Sequence, residues 1–212
     1  IAVAQGAVLA LDAAADQDWE IAGDLSGAGT VGVEQSAGAR LTLRGQTTSP
    51  GASAGVLGVA SLAGGATAAE LAFAQGASRA QLVIDITGAG AAPGVDYDQL
   101  AIAGNLVDSL AEADLLVRVA GSLTAADLAG DSFRLLTCWN DIRSFAGFNS
   151  VTILQGTDPL PGTLSLTYDD TEGGAVLLTN VGGQPPEAIP EPASAALLVS
   201  GLVALGLRRR RR

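Results

Sequence analysis

Short apolar alternations, separated by small or polar residues, run through the chain from its start to about residue 180. The clearest are GTVGVEQ (29–35), ARLTLRG (39–45), GVLGVA (55–60), AELAFA (69–74), QLVIDITG (81–88), QLAIAG (99–104), LLVRVAG (115–121), SFRLLT (132–137), SVTIL (150–154), TLSLTY (163–168) and AVLLTN (175–180). Each has a period near two, which sends successive side chains to opposite faces of a β-strand. In ARLTLRG, Leu41 and Leu43 share one face and Arg40, Thr42 and Arg44 the other. In QLVIDITG, Leu82, Ile84 and Ile86 face one way and Val83, Asp85 and Thr87 the other. Helical candidates are weak: ATAAELAFAQGA (66–77) and DSLAEADLL (108–116) predict at most a turn or two, because Gly and Ser interrupt their surroundings. The class is all-β. A sandwich or barrel fits this spacing, as does a β-solenoid that stacks short strands in coils.

Composition favours the solenoid. The chain holds 28 glycines and only 4% aromatic residues, which suits tight turns around a narrow interior better than a core built on large rings. All eleven basic residues are arginines, and five of them are the last five residues. Before position 208, six arginines stand against 22 acidic residues, a net of −16. So acidic a body repels nucleic acid and anionic lipid and leaves cations and neutral glycans as partners. Histidine and lysine are absent, so neither is available as a general base or, as a cation, an electrophilic catalyst. Cys138 is the single cysteine and forms no disulfide within the chain. The sequence IAVAQGAVLALDA has neither an initiating Met nor a basic leader region, so a native start and any export signal are expected upstream.

Few residues offer chemistry. Asp96, Tyr97 and Asp98 invite a carboxylate-pair reading of the glycosidase kind. The structural alternative is a turn in which Gly94 makes the bend, the Asp side chains cap amides and Tyr97 packs at a corner. Asp12, Asp16, Asp18, Glu20 and Asp24 form an acidic run with oxygen ligands for Ca²⁺, but without an EF-hand glycine or final glutamate, and a solvated strand edge is preferred. Asp169, Asp170 and Glu172 read as a charged hairpin or turn. Cys138 reads as a small packed side chain, and Trp139 as packing at a strand end, with stacking on a sugar ring as its alternative. No metal site, cofactor or catalytic residue is assigned.

Beyond the alternation lie specific resemblances. DWEIAGDLSGAGTVGVEQSAGARLTLRG (18–45) resembles the repeat associated with bacterial autotransporter passengers, with Trp19, Ile21, Gly23, Ser26, Gly27, Gly29, Leu41, Leu43 and Gly45 at matching positions. SPGASAGVLGVA (49–60), YDQLAIAG (97–104) and GDSFRLLT followed by FAGFNSV are similar to later segments of the same proteins, in the same order. The resemblance spans about residues 18–180 and implies a right-handed parallel β-helix outside a bacterial cell. No C-terminal β-barrel translocator is visible, so the chain as given does not transport itself.

VGGQPPEAI (181–189) breaks the alternation and reads as a linker. After it come Pro190, Glu191 and Pro192, then Ala193–Leu207 without a charge, then Arg208, Arg209, Arg210, Arg211 and Arg212. As a helix the apolar run spans about 22 Å, short of a hydrocarbon core of about 30 Å, yet snorkelling arginines and local thinning permit a crossing. The arginine block orients it with the C-terminus in the cytoplasm. This order resembles the PEP-CTERM sorting signal of Gram-negative bacteria. The resemblance implies recognition by exosortase, a membrane thiol protease-transpeptidase, and passage through an inner-membrane intermediate to the cell surface or extracellular matrix. Proteins with this signal often accompany exopolysaccharide and biofilm. The chain is therefore expected to comprise a solenoid (1–180), a linker (181–189) and a sorting signal (190–212) with one short transmembrane helix (193–207). Its expected function is non-enzymatic and structural or adhesive, with exosortase, the membrane and extracellular polysaccharide as partners. A polysaccharide-acting β-helix enzyme and a glycan- or Ca²⁺-binding module are the alternatives.

Overall fold

The structure, a computed structural model, describes residues 1–12, 18–34, 40–51, 54–62, 69–90, 92–107, 110–124, 127–128, 132–139, 141–142, 147–160, 164–169 and 174–180. The chain divides into two compact units, Ile1–Gly182 and Gly183–Arg212. The second unit lies outside the described residues, and with it Pro190, Glu191, Pro192, the apolar run 193–207 and Arg208–Arg212. Among the described residues no helix is long and apolar enough to cross a membrane.

The first unit is all-β, with parallel strands stacked in the manner of a β-solenoid. Three parallel ladders form its sides. The first holds β1 (Val8–Asp12), β4 (Thr30–Glu34), β7 (Val56–Ser61), β10 (Gln99–Leu106) and β12 (Ser132–Cys138). The second holds β2 (Trp19–Ile21), β5 (Arg40–Arg44), β8 (Ala69–Ala74), the distal part of β10 and β13 (Asp141–Ile142). The third holds β3 (Leu25–Ser26), β6 (Thr47–Ser49), β9 (Ala80–Ile86), β11 (Ala113–Val119) and β14 (Ser150–Gln155). The chain visits the three sides in turn, so each coil contributes one short strand to each ladder.

Because the strands are parallel and in register, like residues stack on like along the interior. One stack runs Leu9, Val31, Val59, Ile102, Cys138 and another Trp19, Leu41, Leu71, Leu106. Val31, Val59, Leu41, Leu71 and Leu106 are fully buried. The period-two expectation holds where it was most explicit: Leu41, Leu43, Leu82, Ile84 and Ile86 all lie in the core. Cys138 closes the first stack at 4% exposure, a small apolar side chain in an aliphatic column.

The strand read at AELAFA is found as β8, with Leu71 and Phe73 inward, and the weak helical reading of 66–77 gives way to it because pairing with β5 satisfies a backbone that an isolated short helix would not hold. Among the described residues of 108–116 the helical reading survives only as a 3-10 turn at Leu110–Glu112 before β11 begins. The last two alternations do not add another parallel coil. β16 (Leu164–Asp169) and β17 (Ala175–Asn180) form an antiparallel hairpin that joins the first ladder through β12. β15 (Asp158–Pro159) likewise runs antiparallel to β14. The charged turn expected at Asp169, Asp170 and Glu172 thus falls at the β16–β17 connection, of which residues 170–173 lie outside the described residues.

β10 departs from the one-strand-per-side rule. Residues 99–103 pair with β7 and residues 104–106 with β8, so one strand runs straight from the first side onto the second. Gly104 makes this possible: a Cβ there would stand 1.8 Å from the Ala69 carbonyl oxygen.

Candidate functional site

The Asp96–Asp98 turn is built as a latch between coils. Gly94 has a φ of 76°, the left-handed conformation that the bend before Val95 requires. The Ala92 amide donates to Asp96 Oδ2 at 3.2 Å, and the Thr87 and Gly88 amides donate to the Asp96 carbonyl at 2.7 and 2.9 Å. Asp98 is 0% exposed. Its Oδ1 accepts from the Gly55 amide at 2.8 Å and its Oδ2 from the Asp85 amide at 3.0 Å. Backbone bonds return the contact: the Asp98 amide donates to Asp85 O at 2.8 Å and the Gln99 amide to Gly55 O at 2.9 Å. One carboxyl therefore ties β9, the corner before β7 and the start of β10 together.

Tyr97 extends the latch to the next coil. Its ring meets Phe133 edge to face, with centroids 5.3 Å apart, and its hydroxyl accepts from the Arg134 amide at 3.3 Å. Gln99 Nε2 donates to Arg134 O at 2.8 Å. Burial pushes the Tyr97 phenol up. Burial also pushes the Asp98 carboxyl up to about 7, outweighing the two amides that favour its charged form; the Asp85 carboxylate raises it further and Arg118 lowers it. This is the turn geometry expected from the residues. A carboxyl with no exposed surface cannot meet a polysaccharide, so Asp96 and Asp98 do not form the groove-lining pair that glycoside hydrolysis uses.

The other sequence candidates disperse. Of the acidic run, Glu20 pairs with Arg44 at 2.8 Å and Asp24 Oδ1 accepts from the Thr47 amide at 3.0 Å, each joining one coil to the next. Asp18 is exposed, Asp16 lies outside the described residues, and of Asp12 only the backbone is described. Among the described residues no three His, Cys, Asp or Glu side chains gather as metal ligands do. Arg118 grips Asp85 with two bonds of 2.6 and 2.8 Å, and Arg40 reaches Glu70 at 3.4 Å. Such exposed pairs contribute about 0–1 kcal/mol each, so they set the outer charge pattern rather than the stability. Asp114, bonded by Asn149 and Ser150, and Asp127, bonded by Thr124, are both held below the usual carboxylate range.

Charge is distributed unevenly over the sides. The outward rows of the first ladder include Val8, Thr30, Gly58, Ala101, Thr137 and, beside them, Ala10, Gly32, Ala60, Ala103. These two rows carry no charged residue, although the same ladder also contains Asp12, Glu34 and an exposed Arg134. Trp139 follows directly after β12, with its amide donating to Ile102 O at 3.1 Å, and is 78% exposed. The packing expected of Trp139 is thus corrected. Parity could have shown it: Cys138 points inward, so the next residue in an extended chain points out. Near the first residues lies a hollow of about 450 Å³, lined by small side chains such as Val3, Ser26 and Gly27 and by Gln5, with no ionisable group. The two uncharged rows and the exposed indole are the described surface best suited to contact a neutral partner.

No protein-family model, no curated protein and no solved structure matches the chain.

Proposed function

We propose that the chain is a non-enzymatic bacterial surface or secreted protein, sorted by exosortase through its C-terminal signal, with a structural or adhesive role in an exopolysaccharide or biofilm matrix. On this reading the body is a right-handed parallel β-helix, and the tail 193–207 is a short helix that holds the protein in the inner membrane until processing. The observation that carries it is the order Pro190–Glu191–Pro192, uncharged apolar run, terminal arginine block. The geometry of the body agrees in kind. Asp98, Glu20 and Asp85 serve a turn and inter-coil pairs, and the first ladder presents two uncharged outward rows near the exposed Trp139. An indole face stacks on a sugar ring without requiring charge on either partner.

Two outcomes are expected. Protease added to intact cells of the native host degrades the body without lysis; a body cut only after lysis refutes surface display. Trp139→Ala leaves the melting temperature within about 2 °C, because the ring is mostly exposed, yet it weakens retention on neutral polysaccharide from the matrix. Unchanged retention removes Trp139 from the contact.

A further inference from the structure

The first sheet ends on an unguarded edge. Its strand order closes with β12, β17 and β16, so among the described residues β16 pairs with β17 alone. The backbone groups on the other side of β16 are open to another strand. Edges of this kind are usually blunted by short length, proline or a charged side chain. The β15 edge of the other sheet shows two of these devices: it is two residues long and contains Pro159. β16 is six residues long, and its positions 165–168, Ser-Leu-Thr-Tyr, hold no charge and no proline.

The side chains of this edge divide by face. Leu166 and Tyr168 stand in register with Leu178 and Val176, which are fully buried, so both lie on the core side. Leu166 packs against the core. The Tyr168 hydroxyl accepts from the Phe148 amide at 3.1 Å, which fixes the ring, yet 41% of the residue is exposed. Thr167, on the opposite face, is exposed. A large ring fixed on the core side of an edge and left this open is surface that a further strand would cover.

The strand is also complementary to itself. A two-fold axis through Thr167, perpendicular to the sheet, brings a second β16 alongside it antiparallel. Thr167 then meets its own counterpart, and each Leu166 meets Tyr168 of the other copy on the same face. Threonine pairs and aliphatic–aromatic pairs are favourable across strands. This register is the one that sets the two core-side residues against each other. Two copies of a chain with a net charge of −11 repel unless they meet on an uncharged surface, and positions 165–168 provide one.

We infer that two copies of the chain associate through β16, antiparallel and in register about Thr167, so that their first sheets join into one. A single strand about 20 Å long makes a small contact, so the dimer is reversible and concentration-dependent rather than obligate. The inference uses neither the sorting signal nor Trp139.

The test is sedimentation of the full 212-residue chain over a range of concentrations, in mild detergent because residues 193–207 are uncharged and mostly apolar. Conversion of monomer to dimer with rising concentration is expected. Thr167→Lys and Thr167→Glu should each stay monomeric, since like charges would stand directly opposite one another, and an equimolar mixture of the two should dimerise again. Thr167→Cys should cross-link on oxidation by air, because directly opposed Cα atoms lie about 4.5–5.5 Å apart, within disulfide reach. Ser165→Cys should not, because its counterpart lies four residues along the partner strand, about 14 Å away. The native Cys138 is buried and does not compete. A chain that is monomeric at every concentration overturns the inference. So does a Thr167→Lys chain that dimerises like the parent, which places the contact elsewhere, or a Ser165→Cys chain that cross-links as fully as Thr167→Cys. Should the charged variants misfold, the cysteine pair decides.

Discussion

Leu71→Ala is expected to destabilise the body by about 2–5 kcal/mol, a large part of the roughly 5–15 kcal/mol that holds a domain folded. Leu71 is fully buried and stands in register between Leu41 and Leu106, themselves fully buried. Removing its side chain opens a gap in the middle of a column, and the neighbouring coils cannot close it without breaking register. The loss should appear as a lower midpoint in urea unfolding. Val8→Ala supplies the contrast: Val8 is 56% exposed, and its change should stay within about 0.5 kcal/mol. Equal effects at the two positions would contradict the stacked-coil interior.

Asp98 should make stability fall as pH rises. The unfolded carboxyl titrates near 3.8, whereas burial holds the folded one up to about 7. Between those values the folded state binds more protons than the unfolded state, so the free energy of unfolding declines from about pH 4 to about pH 7 and then levels. Asp114 and Asp127 are shifted the other way, and their contribution is lost only on acidification below the usual carboxylate range. Among the described groups, Asp98 is the one whose shift spans pH 4 to 7. Asp98→Asn should flatten that slope, and Asp98→Ala should lower stability at every pH, because the Gly55 and Asp85 amides lose their acceptor at about 1–3 kcal/mol each. Urea midpoints measured across pH 4–8 check both. A parent chain whose midpoint rises over this range would overturn the assignment.

Much of the fold was written locally. Leu41 and Leu43, or Leu82, Ile84 and Ile86, declare an inward face by alternation alone, and all five are buried. The bend at Gly94 and the capping of the Ala92 amide by Asp96 were also legible, because they join residues close in sequence, whereas the partners of Asp98 and Tyr97, Gly55 and Phe133, lie on other coils and were not. What alternation cannot encode is strand direction. AVLLTN and LLVRVAG look alike, yet β17 pairs antiparallel and β11 parallel, since pairing depends on where the connecting segment returns the chain. The continuation of β10 past Gly104 depends on the closeness of Ala69, which lies on another coil. The tail is the reverse case. Its order is explicit in the sequence, and it lies outside the described residues.

The proposed sorting through Pro190–Glu191–Pro192 is tested most directly by replacing Pro190 and Glu191 with Ala in the native host and following the protein by intact-mass spectrometry. The parent protein should lose the mass of the apolar run and arginine block, while the variant should keep both and stay in the inner membrane. A variant trimmed like the parent would contradict it.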